Sequence, residues 1–103
     1  MHSSLEEIER YIIKRVKDIR ESKGISQEVL SFAIGKGSSF ISDIEAPSKK
    51  AKYNVVQLNL VAKALGCSPK DFWPDESILE QKDQEIKELE AKKTKSSKAK
   101  GKK

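Results

Sequence analysis

Glycine and proline cut the first 75 residues of this 103-residue chain into pieces too short for anything but small helices. The breaks fall at Gly24, Gly35, Gly37, Pro47, Gly66, Pro69 and Pro74. Between them the apolar residues recur at helical steps. Leu5, Ile8, Ile12, Val16 and Ile19 are spaced by three or four, the stripe of an amphipathic helix. Leu58, Val61, Ala62 and Leu65 repeat the pattern further on. No stretch alternates with period two for long enough to form a sheet, so the expected fold is all-α.

Five helices follow from these breaks. The first ends near Ser22-Lys23-Gly24, with Gly24 in the left-handed region. Ser26 caps a second helix, with Gln27 and Glu28 in its first turn. That helix carries Leu30, Ala33 and Ile34 and stops at Gly35. Gly37 caps a third helix holding Phe40, Ile41 and Ile44, and Ala46-Pro47 ends it. Asn54 opens a fourth and Gly66 closes it. Ser68-Pro69-Lys70-Asp71 starts a fifth, after which Phe72 and Trp73 fold back onto the core. Val29, Phe32, Phe40, Tyr11 and Ile13 lie off the inner stripes. They either enlarge the core or form an exposed partner surface; extra core packing is the preferred expectation.

Charge divides the chain into three parts. Residues 1–75 carry a net charge of +2, residues 76–91 carry −4, and residues 92–103 carry +7 from seven lysines without an acid. The expected domains are a body over 1–75, an acidic helical extension over 76–91 and a disordered lysine-rich tail over 92–103. Leu79, Ile86 and Leu89 form a heptad fragment, but Lys82 interrupts its seam. The extension is therefore either a solvated helix or a dimerising or partner-binding one. The tail attracts polyanions through counterion release, or serves only to solubilise.

Several function classes are disfavoured. One cysteine, Cys67, and one histidine, His2, supply neither a disulfide framework nor a metal site. No nucleophile–base pair and no phosphate-cradling glycine loop is present, so neither an enzyme nor a cofactor is expected. Apolar runs reach about three residues, far short of a membrane span. No signal peptide is expected, and the chain is read as cytoplasmic.

The stretch from Gly24 to Glu45 carries the most information. Two short helices joined by a tight glycine turn, with apolar residues only on their inner faces, describe a helix-turn-helix. Leu30, Ile34, Ile41 and Ile44 lock the pair, and Ser31 is small where the helices approach. The third helix, around residues 38–45, keeps its outer face for the major groove of double-stranded DNA. Gln27 stands at a helix N-terminus, where free N–H groups attract a phosphate. Lys36, Lys49, Lys50 and Lys52 flank the third helix and suit contacts to the DNA backbone. Ser38, Ser39 and Ser42 can pair with several base edges and discriminate weakly between them; Asp43 can accept from cytosine but is repelled by phosphates.

The body resembles the lambda-repressor-like (XRE) family of DNA-binding domains over roughly residues 8–74. The likeness lies in the Gly24-Ile25-Ser26-Gln27 opening, the turn glycine Gly35, Ile41 followed by Ile44-Glu45, the Leu65-Gly66 helix end, and the order of the five helices. The resemblance implies that Gln27 contacts a phosphate and that Ser38, Ser39, Ser42 and Asp43 read bases. It also implies that Arg20 pairs with Glu45. Asp43 departs from the family, which more often has a basic or amide residue there. The function so implied is a sequence-specific regulator, a dimeric repressor. The alternative is an antitoxin-type module whose residues 76–91 bind a protein.

Overall fold

The computed structural model describes residues 5–78. Within them are four α-helices: α1 Glu7–Ser22, α2 Gln27–Ala33, α3 Phe40–Glu45 and α4 Val55–Leu65. The described residues contain no strand. His2, most of the acidic extension with Leu79, Lys82, Ile86 and Leu89, and the lysine tail lie outside the described residues. Glu76, Ser77 and Ile78 are non-helical.

The expected fifth helix is a single 3-10 turn, Pro69–Phe72. Its bonds run from Asp71 N–H to the Ser68 carbonyl (2.9 Å) and from Trp73 N–H to the Lys70 carbonyl (3.1 Å). Ser68 and Asp71 cap each other's backbone, and Pro74 follows immediately, so there is no length over which an α-helical pattern can propagate. Phe72 is fully buried, whereas Trp73 stays half exposed, so only the first of the two aromatics joins the core as expected.

Local signals set most of the helix ends. The Ser26 hydroxyl accepts from Val29 N–H at 3.0 Å and starts α2. Asn54 and Gln57 form a reciprocal capping box at the head of α4. Gly35 ends α2 with φ at +80°, a conformation costly for any side chain with a Cβ. It lets Lys36 N–H reach back to the Ser31 carbonyl at 2.9 Å, which satisfies a late carbonyl of α2.

α3 departs from the expected start. It begins at Phe40 with Ser39 in the cap position, so Ser38 and Ser39 belong to the preceding turn and Gly37 is not the cap. The first full helical bond runs from Asp43 N–H to the Ser39 carbonyl, 2.9 Å. No side chain of α3's own leading residues caps it. The donor that this leaves open is satisfied from α2, as described below.

The core draws on every helix: Ile12 and Val16 from α1, Leu30 and Ile34 near α2, Ile41 from α3, Leu58, Val61, Ala62 and Leu65 from α4, and Phe72. Each large side chain removed from water stabilises by about 1.5–3 kcal/mol. Phe40 packs against this cluster as expected. Val29 and Phe32 do not; they are 56% and 57% exposed. Both sit on the side of α2 opposite Leu30 and Ile34, so apolar identity could not bring them inside. Tyr11 is partly exposed, and Ile13 lines a shallow groove of about 170 Å³ between α1 and the end of α3. No helix among the described residues is long and apolar enough to cross a membrane.

Candidate nucleic-acid interface

α3 is fastened at both ends by buried polar contacts from other helices. At its start, the Ser31 hydroxyl of α2 accepts from Ile41 N–H at 2.9 Å and donates to the Gln27 carbonyl at 2.8 Å. Ile41 lies in the first turn, where backbone N–H groups have no partner within the helix. Ser31 therefore caps α3 across the helix-turn-helix. Small size, its sequence-level merit, is only part of its role.

At the other end, Arg20 of α1 grips Glu45. Arg20 Nη2 and Nε donate to the two carboxylate oxygens at 2.8 and 3.1 Å, and Nη1 donates to the Ile25 carbonyl at 2.8 Å. Both side chains are almost wholly buried. This two-pronged geometry supplies specific hydrogen bonds as well as charge pairing. Gln27 joins the cluster: its amide Nε2 donates to Glu45 Oε1 at 2.8 Å. In this conformation the Gln27 amide thus faces inward, to a carboxylate. Nearby, burial and then the charge of Glu45 push the Tyr53 phenol well above its ordinary range.

The outer side of the turn and of α3 carries the serines. Ser38 and Ser39 are exposed, and Ser42 and Asp43 are partly so. The Ser42 hydroxyl donates to the Ser39 carbonyl at 3.0 Å, which holds it along the helix. The Asp43 carboxylate accepts from Ser39 Oγ and from Lys49 Nζ, each at 3.4 Å. That lysine offsets part of the negative charge that a duplex would repel.

The four flanking lysines differ in availability. Lys36 is exposed, its Nζ 5.4 Å from the Phe40 ring centroid, within cation–π range. Lys50 is exposed and has no ion-pair partner among the described residues. Lys49 is engaged with Asp43. Lys52 reaches back to α1, with Nζ 2.6 Å from Glu9, and this hydrogen bond holds the Glu9 carboxyl below its ordinary value despite some burial. Gln27, Lys36, Ser38, Ser39, Ser42, Asp43, Lys49 and Lys50 thus lie on or beside one helix-turn-helix unit, and Lys52 is tied toward α1.

Reading the sequence alone missed two members of the site. Ser31's bond to Ile41 joins residues ten apart through the fold, and Tyr53 approaches the ion pair from the far end of the loop after α3. Neither carries a local signal. Cys67 is no nucleophile: burial pushes its thiol up, away from the reactive thiolate. No group of three or more potential metal ligands occurs among the described residues.

Comparison with known proteins agrees with this geometry. The helix-turn-helix family model matches residues 16–72. The structure is similar to the restriction-modification controller protein C.AhdI from Aeromonas hydrophila, with a TM-score of 0.53 and 27% identity over 61% of this chain and 92% of that one. It is also similar to FeII HppE, with a TM-score of 0.56 and 20% identity over 75% of this chain and 43% of that one, a likeness of fold alone. No curated protein matches. With more than half of its length matched, the chain belongs to the lambda-repressor-like (XRE) helix-turn-helix family of DNA-binding transcription regulators.

Proposed function

We propose that this chain is a sequence-specific repressor that binds double-stranded DNA as a homodimer in the cytoplasm. The observation that carries this reading is the contrast across α3. Its inner side is buried and fastened to α1 and α2, while the serines of its outer side face water. A rigid helix with a free polar edge is the element that a major groove accepts.

In this reading Ser38, Ser39, Ser42 and Asp43 meet base edges, while Lys36, Lys49, Lys50 and Lys52 meet phosphates. Gln27 meets a phosphate at the head of α2, turning from Glu45 to do so. Residues 1–75 form the DNA-binding unit, and every role assigned is one of binding, with neither catalysis nor a cofactor. So short a recognition helix spans few base pairs, so specificity needs a second copy about 34 Å away along the duplex. Exposed Val55, Val56 and Leu60 of α4, with Trp73, supply apolar surface for that copy. The similarity to a restriction-modification controller supports a regulatory role.

A second reading is favoured by the exposure of Val29 and Phe32, a small apolar surface of the type that marks protein contacts. There the domain binds DNA while a protein partner is held, antitoxin-fashion, by residues 76–91.

Selection of bound sequences from random DNA tests the leading reading. The expected result is a two-fold symmetric consensus, and affinity should fall with salt by about 0.9 log units per log unit for each phosphate contacted. Binding that is absent, or indifferent to salt, rejects it. A consensus without symmetry rejects the dimer.

A further inference from the structure

Among the described residues one buried side-chain oxygen has no hydrogen-bond partner, the phenol of Tyr53. Buried hydroxyls are nearly always paired, so an exception calls for a physical reason. Tyr53 precedes the cap of α4, and its ring packs against the core. The charges that act on its hydroxyl are those of Glu45 and Arg20.

Glu45 is the acceptor a buried phenol would seek, but its donors are already in place. Oε1 receives Arg20 Nη2 and Gln27 Nε2, both at 2.8 Å, and Oε2 receives Arg20 Nε. The two donor residues are not equally fixed. Arg20 is buried and held at three points, by Ile25 and by both oxygens of Glu45. Gln27 is half-buried at the first position of α2, and its amide nitrogen makes this one bond. Gln27 is therefore the donor that can leave.

We propose that Tyr53 is a positioning residue that takes Gln27's place on Glu45 when Gln27 turns outward to a DNA phosphate. This rests on the phosphate role given to Gln27 above. In the free protein Gln27 donates to Glu45 and the phenol goes unpaired. In the complex Gln27 donates to phosphate, the phenol donates to Glu45, and the carboxylate keeps its full set of donors. The end of α3 then stays fixed at the moment it meets the duplex. Relief of an unpaired hydroxyl adds to the affinity. The hydroxyl thus works against the free state and for the bound one.

The test uses four full-length proteins: the unchanged chain, Tyr53→Phe, Gln27→Ala and the double variant. Each is followed by thermal unfolding and by DNA affinity on the selected site. Tyr53→Phe alone should leave Tm unchanged or raise it, while weakening DNA binding about tenfold. With Gln27→Ala the phenol can reach Glu45 in the free protein. On that background Tyr53→Phe should lower Tm and leave DNA affinity unchanged, a reversal that a double-mutant cycle isolates.

A fall in Tm on Tyr53→Phe in the unchanged background overturns the proposal, because the hydroxyl would already have a partner. Equal Tm responses in the two backgrounds overturn it as well. The Tm cycle needs no DNA, so the two levels separate. Reversal without DNA binding removes the functional reading and the phosphate step with it. Salt-dependent DNA binding without reversal removes the exchange alone.

Discussion

Asp43 and Glu45 are two carboxylates on one short helix, each paired with a cation, and their surroundings give them opposite roles. Glu45's side chain is 2% exposed and meets Arg20 at 2.8 Å; Asp43's is 46% exposed and meets Lys49 at 3.4 Å. An exposed pair of that length contributes little to folding, since solvent screens it and two flexible side chains must be ordered. A buried pair is different in kind: removing one partner strands the other charge away from water. Burial decides which side of α3 is scaffold and which is interface.

Glu45→Ala should be the most damaging single change, costing about 3–5 kcal/mol in urea unfolding by leaving Arg20 uncompensated. Replacing both partners with apolar residues, Arg20→Met with Glu45→Leu, should recover much of that loss. If Glu45→Ala costs no more than an exposed pair does, the contrast between the two sides collapses.

Ser31→Ala should come next, at about 1–3 kcal/mol, because it leaves the buried N–H of Ile41 without an acceptor. Ser42→Ala is its outer counterpart. The Ser42 hydroxyl turns back to the Ser39 carbonyl beside solvent, so the change should stay within about 0.5 kcal/mol. Two serines on neighbouring helices thus measure the same division, and urea midpoints for the two variants check it.

How far the sequence foretold this arrangement depends on the range of the interaction. Ser26, Gly35 and the Asn54–Gln57 pair act on their own turns, and they mark helix ends where expected. The inner stripes of α1 and α4 were legible because side chains three and four apart share a face. The start of α3 was not, because its capping group comes from Ser31 across the turn and no residue of α3 signals it. Val29 and Phe32 misled for a related reason. They are apolar residues whose side of α2 has no neighbour to cover them, which composition cannot reveal. Within the candidate site, the residue types suggested DNA contacts, yet which of them are engaged internally was hidden. Gln27's bond spans 18 residues and Lys52's spans 43.

Asp43→Asn tests the outer carboxylate through binding. It removes a like charge facing phosphates and releases Lys49, so DNA affinity should rise several-fold and the salt dependence should steepen by up to about 0.9 if Lys49 gains a phosphate. Stability should change by less than about 0.5 kcal/mol. A drop in affinity would mean that Asp43 accepts from a base, which makes it a reader of sequence.

The smallest expected effect belongs to Lys52 and Glu9, a pair of intermediate exposure linking the loop after α3 to α1. Glu9's carboxyl lies below its ordinary value of 4.5, chiefly through the hydrogen bond from Lys52. A carboxyl depressed on folding binds protons more readily in the unfolded chain. The pair's contribution is therefore complete above the ordinary value and fades as pH falls through the folded one. Both partners meet solvent, so the amount is about 0.5 kcal/mol or less. Urea unfolding of the unchanged chain and of Glu9→Gln should show a small gap at about pH 6 that closes by about pH 3. A gap that stays constant between those values would mean that Glu9 gains nothing by ionising beside Lys52. Lys52 would then be as available to a phosphate as Lys50, and the outer side of the molecule would extend further toward α1.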